Sequence, residues 1–321
     1  MKKLVYLLLF LVVSLSLAQE VKHLTLEDAV MGRSKGLYPS NMSLQWITGT
    51  DDYAFTKDNL LIRASAKQLD DKNQSTLVGL EELQLAVPDL KRMPFFSTVS
   101  SDEVIFNHMN SVIRYNYKTK SVSDRITHPS TSENNTFNDA ANAMAYTIEN
   151  NLYVATPSNE KLAVTSSKDK NIVSGQAIAR SEFGITNGIF WSPSGTHLAF
   201  YQKDESKVTD YPLVDVTTTP ASLNNIKYPM NGMDSEIPKV GIYTMETSEL
   251  IYLDIDTSDE HYLTNLSWSP DDKYIFLAEL NRDQNHMWFT VYDASNGKKV
   301  KTLFEEKNSK WVEPEPTAVF L

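Results

Sequence analysis

The chain of 321 residues carries 41 acidic and 30 basic side chains, no cysteine and 10% aromatic residues. With 41% apolar residues over this length it can bury a substantial core, which excludes a disordered segment, a collagen-like fibre or a small disulfide-stapled scaffold. The net charge of −11 is spread along the chain and argues against nucleic acid or an anionic membrane surface as main partner. The lack of cysteine excludes disulfides, thiol nucleophiles, Cys-ligated zinc and iron–sulfur clusters.

At the amino end Met1, Lys2 and Lys3 give a positive start, residues 4–13 are an unbroken apolar run, and Ser16-Leu17-Ala18 supplies small residues where a signal peptidase reads. Residues 1–18 are therefore expected to be a secretory signal peptide cleaved near Ala18. The run is too short for a permanent anchor, and no cysteine offers a lipid attachment site. The expected product is periplasmic or extracellular and acidic.

Residues 19–45 read as a short helix and a linker. Residues 24–30 have a helical pattern, Thr25 with Asp28 three places on has the form of a capping box, and Gly32 ends the turn. From there the pattern is of short β segments bounded by Asn, Asp, Ser, Gly or Lys. Examples are Leu60-Leu61-Ile62, Val104-Ile105-Phe106, Leu152-Tyr153-Val154, Leu250-Ile251-Tyr252-Leu253 and Tyr274-Ile275-Phe276-Leu277.

An internal repeat points to the architecture. Trp191-Ser192-Pro193-Ser194-Gly195-Thr196-His197-Leu198-Ala199-Phe200 aligns without a gap to Trp268-Ser269-Pro270-Asp271-Asp272-Lys273-Tyr274-Ile275-Phe276-Leu277. Each has an aromatic anchor, a Ser-Pro turn, and apolar side chains seven and nine places after the anchor. The same frame fits Trp46 with Tyr53 and Phe55, and Phe137 with Met144 and Tyr146; Phe96 fits with a one-residue slip to Val104 and Phe106. The anchors are 50, 41, 54 and 77 residues apart. A four-stranded propeller blade takes roughly 40–50 residues. Residues 46–321 are thus expected to be an all-β fold, a β-propeller of five to six blades, with an insertion within 203–239. A β-sandwich would share the turn signals.

Around Trp191 the sequence is less generic. Ser181-Glu182-Phe183-Gly184, Phe190-Trp191-Ser192-Pro193-Ser194-Gly195, Leu198-Ala199-Phe200-Tyr201 and Asp204-Glu205 resemble the N-terminal propeller of the dipeptidyl peptidase IV family, within the prolyl oligopeptidase group. So do Leu24-Thr25-Leu26-Glu27-Asp28, Glu149-Asn150-Asn151-Leu152-Tyr153-Val154, Tyr228-Pro229 and Leu280-Asn281-Arg282-Asp283-Gln284-Asn285. The resemblance implies an eight-bladed propeller followed by an α/β-hydrolase domain, and a parent enzyme that is a serine-type exopeptidase cleaving after proline. In the dipeptidyl branch two glutamates, three and two places before the Phe matching Phe183, bind the substrate's free amine. Here those places hold Arg180 and Ser181, and the one carboxylate is Glu182, an arrangement similar to the prolyl tripeptidyl peptidase branch. The resemblance thus implies Glu182 as the amine-binding residue. A basic residue that grips the substrate carbonyl in relatives has no clear counterpart; Asn107 and His108 stand near that place. Implied partners are a peptide with a free N-terminus, a C-terminal hydrolase domain and, as in relatives, a second copy in a homodimer; neither nucleic acid nor a membrane is expected.

No catalytic constellation is expected in this chain. Gly32-Arg33-Ser34-Lys35-Gly36 satisfies G-x-S-x-G, but a nucleophile elbow needs a buried strand before the Ser and a helix after it, and here a helix precedes and a loop follows. The six histidines are scattered, without H-E-x-x-H, so no metal or other cofactor is expected. Asp51-Asp52, Asp70-Asp71 and Asp271-Asp272 read as turn carboxylates, and Arg282 as a structural pairing at a blade edge. Residues 317–321 read as the opening of a strand that stops, and five anchors fall short of eight blades. The chain is accordingly read as an amino-terminal piece of a longer enzyme, the alternative being a stand-alone propeller that binds a periplasmic partner or sugar.

Overall fold

A computed structural model describes residues 23–38, 43–67, 73–314 and 317–320. The expected signal peptide and Asp70-Asp71 lie outside the described residues. Helix α1 (Leu26–Met31) begins at a complete capping box, with the Thr25 hydroxyl accepting the Asp28 amide at 3.0 Å and Asp28 Oδ2 accepting the Thr25 amide at 3.1 Å.

The repeat anchors each fall on or beside the first strand of a meander. Blade 1 is β1 (Gln45–Trp46), β2 (Asp52–Lys57), β3 (Leu60–Ser65) and β4 (Ser75–Gly79). Blade 2 is β5 (Phe96–Val99), β6 (Glu103–His108), β7 (Ser111–Asn116) and β8 (Ser121–Thr127). Blade 3 is β9 (Glu133–Asn138), β10 (Ala143–Ile148), β11 (Asn151–Thr156) and β12 (Asn159–Ala163). In blade 4 the first strand is in two pieces, β13 (Ile172–Ser174) and β14 (Ile189–Trp191), followed by β15 (His197–Asp204). A separate hairpin, β16 (Asp210–Asp215) and β17 (Ser222–Lys227), intervenes before blade 4 resumes with β18 (Ile237–Thr244) and β19 (Leu250–Tyr252). That hairpin fills the insertion expected within 203–239. Blade 5 is β20 (His261–Trp268), β21 (Tyr274–Asn281), β22 (His286–Asp293) and β23 (Lys299–Lys307).

The seven-residue spacing is a pairing register. Trp46 faces Tyr53, Phe137 faces Met144, Trp191 faces Leu198 and Trp268 faces Ile275 across the first and second strands. The Ser-Pro turn closes this register chemically: Ser192 Oγ accepts the His197 amide at 3.1 Å, and Ser269 Oγ accepts the Tyr274 amide at 2.9 Å. Phe96 departs from the frame by more than the one-residue slip. The seven-residue pair in blade 2 is Thr98 with Ile105, while Phe96 sits two residues earlier, across a bulge, opposite Phe106.

Strand alternation buries both faces of the blades that lie between two others. Val104 and Phe106 pack with Ala54 and Leu61 of blade 1, whereas Ile105 between them packs with Met144 and Tyr146 of blade 3. The same division recurs between blades 3 and 4, through Val154 and Phe200, and between blades 4 and 5, through Tyr201 and Leu277. First strands also approach one another. Trp191 Nε1 donates to Thr136 O at 2.9 Å, and Trp268 Nε1 donates to Phe190 O at 3.0 Å, in each case the residue just before the previous blade's anchor. The turns interlock as well. Asp272 Oδ2 accepts from Ser192 Oγ at 2.9 Å and from Ser194 Oγ, and Gly195 lies so close to blade 3 that a Cβ would fall 2.7 Å from Ala141 Cα. Burial acts against charge on Asp272, but hydrogen bonds from Ser194, Ser192 and Thr196 outweigh it and hold the carboxyl below its ordinary range.

Two expectations need correction. A second helix, α2 (Leu80–Ala86), follows blade 1 and buries Leu83 beneath it; its N-cap is Gly79, which offers no side-chain cap and so no start signal. Residues 317–320 are not a strand: Ala318 N donates to Ser267 Oγ at 3.2 Å and the Phe320 ring meets Phe276 edge-on, so this segment packs against blade 5 by single contacts without a ladder.

Candidate functional site

The first strand of blade 4 is broken in two, and the chain between the pieces builds the candidate site. β13 and β14 both pair with the same edge of β15. Gly175 N donates to Tyr201 O at 2.8 Å and Tyr201 N donates to Gly188 O at 2.9 Å, so a single residue of β15 satisfies both stumps. Residues 176–187 leave the sheet between them. The base of this loop is pinched: a Cβ on Gly188 would fall 2.5 Å from Gln176 N. Gln176 is tied in turn to the β10–β11 turn of blade 3 through Nε2 to Glu149 O at 2.9 Å.

Within the loop Ile178, Ala179 and Ile185 are buried against blades 4 and 5, and the turn between them is strained. Ala179, Arg180, Ser181, Phe183 and Gly184 have φ of 50°, 52°, 67°, 56° and 71°. Each non-glycine residue in that region costs about 1–2 kcal/mol, so the turn persists only because its surroundings fix it. The Ser181 amide donates to Ile178 O and the Glu182 amide to Ala179 O, both at 3.0 Å. Ile185 N donates to Glu182 O at 3.1 Å, and Thr264 Oγ1 of blade 5 donates to Phe183 O at 3.2 Å.

Glu182 stands at the end of this turn with extended backbone and an exposed side chain. Among the described residues no hydrogen bond or ion pair engages its carboxylate. The neighbouring cation is drawn elsewhere: the Arg180 guanidinium lies 5.3 Å over the Tyr228 ring and Nη1 donates to Lys227 O at 3.3 Å. Phe183 packs 5.0 Å from Tyr262. A cleft of about 460 Å³, lined by Phe183, Ile185, Asn187, Tyr201, Thr264 and Leu266, opens between the loop and blade 5. The arrangement offers one exposed carboxylate on a hydrogen-bonded turn whose next residue, Phe183, lines the cleft. It can pair with a cation.

Comparison with known proteins identifies the family to which this fold belongs. A sequence profile of the dipeptidyl peptidase IV (DPP IV) N-terminal region matches residues 89–321. The chain belongs to the dipeptidyl peptidase IV family. A Bacteroides ovatus protein described as a dipeptidyl aminopeptidase IV superposes with a TM-score of 0.80 at 38% identity, over 88% of this chain and 40% of that one. Porphyromonas gingivalis dipeptidyl peptidase 4 shares the fold with a TM-score of 0.64 at 16% identity, over 91% of this chain and 43% of that one. A dipeptidyl-aminopeptidase B of Phaeosphaeria nodorum is 25% identical over 58% of this chain and 23% of its own length. The chain thus spans less than half the length of these relatives.

For a dipeptidyl peptidase IV-type propeller, the remaining residues singled out in the sequence fall away from the Glu182 turn. Asn107 and His108 close the β6–β7 turn of blade 2, and neither bonds to the loop. Ser34 is exposed in the turn after α1 and donates to Met31 O at 2.8 Å, in helix-then-turn order. Arg282 pairs with Glu260 at 3.3 Å and with the Tyr262 hydroxyl, while Glu260 also accepts the Ser235 amide at 2.8 Å; this set fastens the insertion to blade 5. Lys67 engages Asp51, Arg63 engages Asp52, and Asp271 accepts from Ser269 and Lys273. The Lys273 and Ser269 hydrogen bonds draw the Asp271 carboxyl down to about 2. His128 is buried with Nδ1 2.7 Å from Ser132 Oγ, and no group of three or more His, Asp or Glu among the described residues is placed to hold a metal ion.

Three residues that matter to the loop escaped sequence reading. Tyr201 sits inside a recognised motif, but its role as the residue opposite the strand break depends on pairing. Glu236 and Lys203, buried beneath the turn, lie far from Glu182 in sequence and have no local motif.

Proposed function

We propose that this chain is the N-terminal propeller portion of an exported serine-type exopeptidase, in which Glu182 binds the free amine of a peptide whose proline-containing end is cleaved by an α/β-hydrolase domain. The observation that carries this reading is the extruded, strained turn that exposes one unengaged carboxylate next to Phe183, which lines a cleft. One charge-assisted hydrogen bond to an ammonium sets how many residues reach a nucleophile held elsewhere. A single Glu behind Arg180 and Ser181 favours prolyl tripeptidyl over dipeptidyl release. The propeller wall would gate access to the nucleophile, and the basic, apolar and small-residue succession over residues 1–18 supports export to the periplasm or beyond.

Glu182→Gln will weaken a free-amine Xaa-Xaa-Pro peptide about 10-fold and leave its N-acetylated form unaffected, since a hydrogen bond to a charged group is replaced by a neutral one. Calorimetric titration of both peptides checks this; equal affinity of wild type and variant for the free-amine peptide would overturn the role. The parent-enzyme reading is tested by the reading frame past codon 321. Further blades and a G-x-S-x-G on a strand-turn-helix support it, whereas a stop there with a self-closed product overturns it.

Self-association is proposed for the β16–β17 hairpin. Val214 and Leu223 are directly paired and 63% and 67% exposed, on a two-stranded sheet with no third strand. Such a hairpin is marginal alone in water. Val214→Asp with Leu223→Asp will convert a dimer to a monomer in light scattering without changing the far-ultraviolet spectrum; an unchanged mass would place the interface elsewhere.

A further inference from the structure

Beneath the Glu182 turn lies a buried ionic triad. Lys203, near the end of β15, is 7% exposed, as is Glu236, just before β18. Lys203 Nζ is 2.7 Å from Glu205 Oε1 and 3.3 Å from Glu236 Oε2. The other oxygen of Glu236 accepts the Ala179 amide at 2.5 Å, in a buried contact across 57 residues of sequence. Ala179 is the first of the left-handed residues, and its carbonyl accepts the Glu182 amide at 3.0 Å. One residue therefore links the two glutamates.

Neutralising Lys203 does not require Glu236, because Glu205 is closer. Burying a second carboxylate against one ammonium adds desolvation cost, and an apolar side chain would serve packing at least as well. What an apolar side chain could not do is accept the Ala179 amide, which would otherwise be buried without a partner at the point where the backbone turns left-handed. Lys203 holds one oxygen of Glu236, so the other is fixed in direction. We infer that Glu236, oriented by Lys203, is a positioning residue for Glu182: it fixes the height and direction at which the Glu182 carboxylate meets its cation. This rests on the amine-binding reading of Glu182.

The test uses the 321-residue chain and three variants, followed by residue-resolved amide exchange without ligand and by titration with a free-amine Xaa-Xaa-Pro peptide. Glu236→Ala is expected to speed exchange at the Ala179 and Glu182 amides at least 10-fold and to weaken the peptide about 10-fold. Glu236→Gln keeps an acceptor for Ala179 and should return both readouts to within about threefold of wild type. Glu205→Gln, which removes the other carboxylate from Lys203, should leave both unchanged. The inference is overturned if Glu236→Ala leaves the two amides protected, if Glu236→Gln fails to rescue them, or if Glu205→Gln matches Glu236→Ala, since the triad would then act as general packing. Should Glu182→Gln leave peptide affinity unchanged, the amine-binding reading fails, while the exchange data still decide whether Glu236 holds the turn.

Discussion

Gly188→Ala will spring the base of the Glu182 loop. The two stumps of the broken strand return to β15 at one residue, Tyr201, so the entering and leaving chains must pass almost in contact. A Cβ on Gly188 would lie 2.5 Å from Gln176 N, with the Gln176 carbonyl carbon and oxygen closer still, and backbone cannot swing aside as a flexible side chain can. Gln176 is itself pinned to Glu149 O. Overpacking of this kind costs about 3 kcal/mol, at the upper end for core insertions. Either the Tyr201 N to Gly188 O bond opens or the loop shifts as a body; both displace the Glu182 turn. Urea unfolding followed by tryptophan fluorescence should show the loss, with faster exchange at residues 176–188. Gly184→Ala is the contrast: nothing lies within 4 Å of its Cβ, and only the φ of 71° resists, at about 1 kcal/mol. Equal stability of Gly188→Ala and wild type would show that the pinch is not tight.

The contrast between strain and contact also marks what the sequence could disclose. The blade frame was legible because a pairing seven residues apart is local: Trp191 to Leu198 and Trp268 to Ile275 are both strands and turn in one window. The Ser that closes each turn stands in the same window. Phe96 misled because a bulge moved it off the anchor position while keeping an aromatic near it. Helix α2 was missed because seven residues behind a glycine cap carry neither period nor cap. The Glu182 turn itself was named only through resemblance. Its strand break is a relation among Gly175, Gly188 and Tyr201, and its support comes from Glu236; neither can be read from a segment, because both exist only once β15 and β18 are paired.

The second large effect concerns how successive blades hold one another. Trp268→Ala will cost about 3–5 kcal/mol, because the indole is 8% exposed and packed in the cluster between blades 4 and 5. Its Nε1 bond to Phe190 O is lost with it, and the same strand carries the anchor of blade 4. Trp268→Phe keeps most of the ring volume and should cost about 1–2 kcal/mol, chiefly the unmade hydrogen bond and the residual void. Trp46→Ala occupies the same place in the frame, yet Trp46 is 65% exposed, so its cost should stay near 1 kcal/mol or below. The frame alone would assign these two tryptophans equal weight; burial against a preceding blade separates them. Repeat folds are coupled through nearest-neighbour interfaces, so weakening one interface should also split the unfolding curve, with blade 5 melting first. Urea melts of the three variants test the account. A cost for Trp46→Ala equal to that of Trp268→Ala, or below 1 kcal/mol for Trp268→Ala, would mean that stability resides within single blades and that the indole bond to Phe190 O is incidental.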